Sequence, residues 1–543
     1  MPKTIATLRP RIRSEVLSAV VAAYLLFGLN ATFWQKSLAY LDGQYPALAA
    51  LALGLLSGFI ALCVAFSTKY LIKPFLILLI LSSATASWSM DRFGVIIDRE
   101  MIRNGVETNS AEVSHLITPG LIFYLLFFGV LPSLLVIWVR VRHRPILNKV
   151  GINLLVIVPC VMALGGSALV GSRPFLFNSR QHQDWFRTLN PIFPVASAID
   201  FALRATAERN IVLQPLGTDA RVTDALPSAE RRPRATVLIV GETARAQNFQ
   251  LDGYQRPTNP ELSKRDVTYF KDTSSCGTAT AVSVPCMFSV YGRADYTHSK
   301  ALATETLMDV LSHAGIKVEW WDNNTGDKNV AARIARKELF KSQDPRFCKD
   351  GECLDDILLA DLDHWLDALQ SDAVLVLHQL GNHGPAYYLR YPESYRKFLP
   401  DCRTVEFRDC SNEMIVNAYD NALLYTDHII ASVIDKLEAR QDRLDSAVIY
   451  MSDHGESLGE SGLYLHGAPY MVAPEVQTRI PFVFWTNGHF ENPLGLNKTC
   501  LAETAGLPRS HDNLFHTVLG MMNVSTDVYD PQLDILAGCR GTS

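Results

Sequence analysis

Five apolar stretches crowd the chain before Gly171, at roughly Val16–Trp34, Ala47–Ser67, Pro74–Met90, Leu116–Val139 and Val150–Gly171. None contains an Asp, Glu, Lys or Arg. A helix needs about 20 such residues to cross a bilayer, and charged residues are expensive at its centre. Five uncharged runs in succession therefore predict five transmembrane helices rather than buried core helices, and they exclude a single soluble domain. The first run comes after Arg9, Arg11 and Arg13 but ends at Asn30–Trp34 without a small-residue cleavage site, so it reads as a retained helix rather than a cleaved leader. Lys3, Arg9, Arg11, Arg13, Lys69, Lys73, Arg140, Arg142, Arg144 and Lys149 flank one side of the spans, against Lys36, Arg92, Arg99 and Arg103 on the other. The positive-inside rule then predicts a cytoplasmic N-terminus. An odd number of spans places everything after Gly171 on the opposite side.

Cysteine usage agrees with that placement. Cys63 and Cys160 lie within spans, and the other eight all lie beyond residue 171. An even set confined to an external part predicts disulfides, with close spacing favouring Cys276–Cys286, Cys348–Cys353 and Cys402–Cys410 and leaving Cys500–Cys539. Residues 172–234 read as a connector. Trp185, Phe186, Leu189, Ile192, Phe193 and Phe201 suggest short amphipathic helices at the membrane interface, or equally aromatics packed on the soluble domain, and Pro215–Arg234 suggests a linker. The formal net charge of -5 gives no basic excess for nucleic acid.

After Arg234, short apolar runs alternate with amphipathic ones, predicting an α/β sheet covered by helices. Candidate strands are Thr236–Val240, Lys317–Trp321, Ala373–Leu377, Ala447–Met451 and Pro481–Trp485, and candidate helices are Thr304–Ala314, Leu354–Leu369 and Ala418–Ala439. The residues just past the strands carry the chemistry: Gly241-Glu242-Thr243, Asp322-Asn323-Asn324, His378 with His383, and Ser452-Asp453-His454-Gly455-Glu456. Open α/β sheets place their sites at these carboxyl ends. Glu242-Thr243 alone is also consistent with a helix cap. Asp453 and His454 are adjacent, and only a break in the strand lets both aim at one point. Together with the Gly-flanked His383 and His466, mixed carboxylate and imidazole groups predict a Zn²⁺ site, with Mn²⁺ as the alternative. The hydroxyl-rich run Ser274–Ala281 supplies a nucleophile, and the pattern does not choose among Ser275, Thr278, Thr280 and Ser283.

The set V-G-E-T-A-R (240–245), S-C-G-T-A-T-A-V-S-V-P-C-M-F-S (275–289), H-Q-L-G-N-H-G-P-A-Y (378–387), S-D-H-G-E-S (452–457) and Y-L-H-G (464–467) resembles the lipid A phosphoethanolamine transferases. These are membrane enzymes of the alkaline-phosphatase superfamily that include the mobile colistin-resistance transferases. The resemblance covers nearly the whole chain. It implies a five-helix transmembrane domain over residues 1–171, the connector, and a periplasmic alkaline-phosphatase/sulfatase-like α/β/α sandwich over 235–543, in a bacterial inner-membrane protein expected to act as a monomer.

The resemblance also implies roles. Thr280 matches the catalytic threonine, and Glu242, Thr280, Asp453 and His454 match the ligands of one tightly bound zinc. His383 and His466 match groups for the substrate phosphate or a second zinc, with His378 assisting; Asn324 and Lys328 match phosphate-side contacts. Asn104, Thr108 and Glu112 match donor-headgroup contacts, at a spacing that lines one helix face. The implied donor is phosphatidylethanolamine and the acceptor a phosphate of lipid A in lipopolysaccharide. Rival readings are a transferase for a core sugar or with a glycerol-phosphate donor, a membrane-tethered sulfatase or phosphatase, and a zinc-binding receptor. Neither Cys276-Gly277-Thr278-Ala279-Thr280 nor Cys286-Met287-Phe288 carries the sulfatase C/S-x-P-x-R motif.

Overall fold

A run of uncharged side chains can be buried only in lipid or against other helices, and backbone polar groups in lipid must be satisfied within the helix. The computed structural model describes residues 9–108, 110–223 and 231–541, and of 110–112 the backbone only. Lys3, the Glu112 side chain and linker residues 224–230 lie outside that description. The chain divides into two compact units, Met1–Ile102 with Ile117–Ala202 and Arg103–Leu116 with Leu203–Ser543.

In the first unit, α1 (Ser14–Ala23) continues through a π turn to Gly28 and meets α2 (Ala31–Tyr40) at 65°. In place of the single straight first span expected over Val16–Trp34 stand two helices bent by 65°. Asn30 is the cause: its amide donates to the carbonyls of Leu25 and Asn190, and its oxygen accepts from the Asn190 N–H. A buried Asn satisfied this way takes the place of a helical turn. Four unbroken spans come next: α3 (Tyr45–Ala65), α4 (Ile72–Phe93), and, beyond α5 (Arg99–Glu107) and α6 (Ser110–Leu116), α7 (Pro119–Trp138) and α8 (Ile146–Val170). Gly54 lets α3 approach α8 closely, since a Cβ there would lie 2.7 Å from that of Ser167. Phe123, Phe127, Leu155 and Met162 are exposed, an outer surface that suits lipid. Trp185 is fully buried and donates to Ser37 Oγ at 2.8 Å. It is a core residue of the helical unit, which corrects both the interfacial and the soluble-domain readings of that aromatic.

The second unit is built on a seven-stranded sheet. In chain order its strands are β1 (Arg234–Gly241), β2 (Thr268–Phe270), β3 (Lys317–Asp322), β4 (Ala335–Glu338), β5 (Ala373–His378), β6 (Asp445–Ser452) and β7 (Phe482–Thr486). Their spatial order is β2-β7-β6-β1-β5-β3-β4. Strands β6, β1, β5, β3 and β4 run parallel, and β7 is antiparallel to β6 and β2. All five expected strands are present. The central ones, β1, β5 and β6, are buried throughout, the signature of a sheet covered on both faces. The expected Leu354–Leu369 helix is instead a 3-10 turn, Asp355–Leu358, and a short helix, Leu362–Asp367. Asp355 breaks it by accepting from Asn323 Nδ2 and the Leu380 and Gly381 N–H groups rather than facing solvent. The expected linker is partly built in, because Arg221–Val222 pairs with Val524–Ser525.

All four expected disulfides are formed, and Cys63 and Cys160 are free. In the loop-closure picture, Cys500–Cys539, spanning 39 residues, stabilises by about 4 kcal/mol and Cys348–Cys353, spanning 5, by about 2 kcal/mol. Replacing the first pair by serines should lower the thermal midpoint more than replacing the second. Equal midpoints for the two variants would contradict the loop-closure origin of that stability.

Candidate metal centre and nucleophile

Strand register assembles the site. Ser452 pairs with Gly241, so the next residue of each strand, Asp453 and Glu242, emerge side by side. His378 pairs with Val240 on one side and Asp322 on the other, at the same level of the sheet. Close approach is enforced by glycine: a Cβ on Gly381, where φ is +52°, would lie 2.9 Å from the Glu242 carbonyl, and one on Gly455 would lie 2.1 Å from the Val476 carbonyl.

Glu242, Asp453 and His454 are wholly buried. One ligand atom of each lies within 4.8 Å of the others. Thr280 begins a helix, α9 (Thr280–Met287), so its hydroxyl sits at the positive end of a helix dipole. Its Oγ1 donates to Glu242 Oε2 at 3.1 Å and lies 3.5 Å from His454 Nε2. His454 Nδ1 donates to the Gly455 carbonyl at 2.9 Å, and its Nε2 lies 3.4 Å from an oxygen of each carboxylate. Asp453 Oδ1 accepts from the Thr243 and His454 N–H groups, whereas Oδ2, with His454 Nε2 3.4 Å away, has no hydrogen-bond partner among the described residues.

Two adjacent carboxylates in a dry site repel. Burial would raise Glu242, but the His454, His383 and His466 imidazoles hold it below the usual carboxylate range, while burial and the Glu242 charge push Asp453 up. A divalent cation would offset both charges and use the orphaned Asp453 oxygen. The donor set, two carboxylates, one imidazole nitrogen and one hydroxyl, fits such an ion.

The remaining expected residues fall around this centre. The His466 ring lies tilted beside His454 and edge-on to His383, with ring centroids 4.4 and 5.6 Å away. His454, Glu456 and His466 form a second group whose ligand atoms lie within 4.8 Å. His378 Nδ1 donates to Asp322 Oδ2 at 2.9 Å, and its buried Nε2 has no partner among the described residues. Asn324 Nδ2 donates to Glu242 Oε2 at 2.7 Å and to the Gln379 carbonyl, so its amide nitrogen orients a carboxylate. Lys328 Nζ donates to the carbonyls of Glu107 and Thr325. Asn104 lies on α5, Thr108 falls just beyond its end and Glu112 lies on α6, so the three do not share one helix face.

His511 carries no sequence signal of its own, and Thr243 and Glu456, named among the strand-end residues, take roles that the pattern does not specify. Thr243 is not a helix cap. It adopts φ +58°, and its hydroxyl donates to Glu242 Oε1 at 2.6 Å. Glu456 accepts from His466 Nδ1 and from the Tyr387 hydroxyl. His511, also buried, accepts the Cys276 N–H at Nδ1 (3.1 Å) and donates from Nε2 to the Ser452 carbonyl (2.9 Å). It thus ties the loop before Thr280 to the strand end before Asp453.

Comparison with known proteins places this arrangement. The model of the phosphoethanolamine transferase EptA/EptB family matches residues 55–206, and the sulfatase model matches residues 234–524. Phosphoethanolamine transferase EptA of Escherichia coli K12 is 37% identical over 98% of this chain and 98% of its own. The chain belongs to the phosphoethanolamine transferase family. The phosphatidylethanolamine transferase Mcr-1 of Escherichia coli is 35% identical over 97% of this chain and 98% of its own. The integral membrane lipooligosaccharide phosphoethanolamine transferase A of Neisseria meningitidis superposes with a TM-score of 0.94 at 36% identity, covering 98% of this chain and 100% of that one. For this transferase-family chain, the α/β domain is thus of the sulfatase type, joined to an apolar helical unit.

The His511 bridge has a pH consequence. Burial pushes its imidazole down from 6.5 to about 4, so the folded protein holds it neutral. Unfolding frees it to take up a proton in that interval. Its contribution is complete above pH 6.5 and falls as pH drops toward 4, by up to roughly 3 kcal/mol. His511→Asn, which keeps an acceptor facing Cys276 but cannot titrate, should flatten the acid side of the thermal midpoint against pH. Identical acid slopes in the two proteins would remove His511 as the titrating group.

Proposed function

We propose that this protein transfers phosphoethanolamine from phosphatidylethanolamine to a phosphate of lipid A, through a covalent phosphoethanolamine-threonine at Thr280. The observation that carries the reading is the placement of the Thr280 hydroxyl, at a helix N-terminus, against Glu242 and His454 and beside the unpartnered Asp453 oxygen. A free threonine hydroxyl is a weak nucleophile at neutral pH and needs activation. Glu242, Thr280, Asp453 and His454 would hold a zinc ion, which when bound favours the threonine alkoxide and offsets charge on the transferring phosphate. A second zinc or the substrate phosphate would be held by His383 and His466, with His378, Asn324 and Lys328 on the phosphate side and Asn104, Thr108 and Glu112 toward the ethanolamine.

In the first half-reaction Thr280 Oγ1 gives up its proton toward Glu242, its hydrogen-bond acceptor, and bonds to phosphorus; the bond from phosphorus to the diacylglycerol oxygen breaks, and protonated His383 or His466 gives that oxygen a proton. In the second, an oxygen of a lipid A phosphate attacks the same phosphorus and Thr280 is released. The product gains an ammonium group, so the outer membrane holds less negative charge and attracts polymyxin and other cationic peptides less. Both substrates are lipids, in keeping with a catalytic unit joined in one chain to five apolar elements. The basic-residue asymmetry supports a bacterial inner-membrane protein with a cytoplasmic N-terminus and a periplasmic catalytic unit, and the disulfides suit that compartment.

Mass spectrometry of lipid A and core from cells expressing wild-type and Thr280→Ala protein tests the reading. Wild type should add phosphoethanolamine to lipid A, and Thr280→Ala should lose at least about 10³-fold in rate while remaining folded. Modification confined to a core sugar would reassign the acceptor, and persistent transfer by Thr280→Ala would reassign the nucleophile. Exhaustive chelation should abolish activity and zinc should restore it. A purified protein that transfers at full rate without metal would overturn the metal assignment.

A further inference from the structure

We propose that Arg390 is a positioning residue for His383, and that Glu352 and His115 behind it make the segment Arg103–Leu116 part of the catalytic apparatus. A continuous line of side chains carries the proposal. Arg390 Nε donates to the His383 carbonyl at 2.9 Å, and its Nη2 donates to Glu352 Oε1 at 2.9 Å. The second oxygen of the same carboxylate, Oε2, accepts from His115 Nε2 at 2.9 Å. One carboxylate thus joins a helix that lies between two apolar spans in the sequence to the backbone of a site histidine.

The line is buried and braced. The Arg390 side chain is 1% exposed, and those of Glu352 and His115 are 13% and 17% exposed. Burial would raise the Glu352 carboxyl, but Arg390 and His115 hold it down at about 2, so it stays ionised. Glu352 sits in a two-stranded hairpin, Cys348–Lys349 with Glu352–Cys353, closed by the Cys348–Cys353 disulfide. The segment itself is tied twice more within the unit, by Arg103 to Glu208 at 3.7 Å and by the Glu107 carbonyl to Lys328 Nζ at 3.2 Å.

Stability alone is a poor reason for this arrangement. Buried ion pairs contribute little net stability, and Arg390 Nη1 has no hydrogen-bond partner among the described residues, a further penalty. A planar guanidinium fork can serve a carbonyl and a carboxylate at fixed angles, which a lysine cannot. Positioning explains the retained cost. With His383 held through its backbone, a shift of the segment displaces the imidazole relative to Thr280.

The proposal rests on His383 being a substrate-side group, and the test separates the two. Full-length protein in detergent is assayed for diacylglycerol release from a fluorescent phosphatidylethanolamine, comparing His383→Ala, Arg390→Lys, Glu352→Gln, His115→Gln and the Arg390→Lys/Glu352→Gln double variant. Arg390→Lys and Glu352→Gln should each lower kcat by about tenfold with KM little changed, as misplacement of a catalytic group does, and His115→Gln by a few-fold. The double variant should be no slower than the slower single variant, because both break one line. Should Arg390→Lys fail to fold, Glu352→Gln and His115→Gln carry the comparison. Wild-type kcat in the line variants beside an inactive His383→Ala, or multiplying effects in the double variant, overturns the proposal alone. Full activity of His383→Ala overturns the reading of that histidine and the proposal with it.

Discussion

Two carboxylates, Glu242 and Asp453, are forced together in the dry interior at the ends of neighbouring parallel strands. The register between β1 and β6 leaves them no other place, and each burial without a counter-charge is expensive. The surrounding groups answer that problem. Thr243 and Asn324 donate to Glu242, Thr243 and His454 donate to Asp453, and imidazoles supply positive potential. One Asp453 oxygen is still unsatisfied. A site that commits so many donors and leaves this acceptor open is shaped for a cation rather than for stability.

The proposed nucleophile is delivered by a separate device. Thr280 opens a helix whose preceding loop is closed by Cys276–Cys286 and whose backbone is tied through His511 to the strand carrying Asp453. Ser275 and Thr278 are not available in the same way, since their hydroxyls donate to the carbonyls of Gly277 and Ala468. Ser283 is buried further along the helix. Of the four hydroxyls that the sequence pattern left open, only Thr280 faces Glu242 and His454.

How much of this could be read from the chain depends on how local each signal is. Asp453 and His454 are adjacent, Glu242 comes directly after an apolar run, and three cysteine pairs close at short range and leave Cys500 for Cys539, so all were legible. The strands β2 and β4 were not, because three or four residues at a sheet edge carry no periodicity. The break at Asn30 depends on Asn190, and the Asp355 turn on Asn323 and Leu380, partners far along the chain. The burial of Trp185 likewise needs Ser37 and the surrounding apolar helices. His511 was silent for the same reason: an isolated histidine acquires meaning only when folding places Cys276 and Ser452 on its two nitrogens.

The histidines of the site share a logic that no single one displays. His454 is fixed by the Gly455 carbonyl, His466 by Glu456 and His378 by Asp322, in every case through Nδ1. Each ring is thereby fixed in orientation through its Nδ1, the same kind of backing that orients metal-ligating imidazoles. Solvent-facing or purely structural histidines have no reason to repeat it three times around one pair of carboxylates. The repetition means that the site is set before any ligand arrives, and binding then costs little reorganisation of these rings. Glu456, in turn, is held by the Tyr387 hydroxyl, which belongs to the same chain segment as His383 and Arg390. That segment therefore supports two of the site histidines at once, His466 through a side chain and His383 through its own backbone.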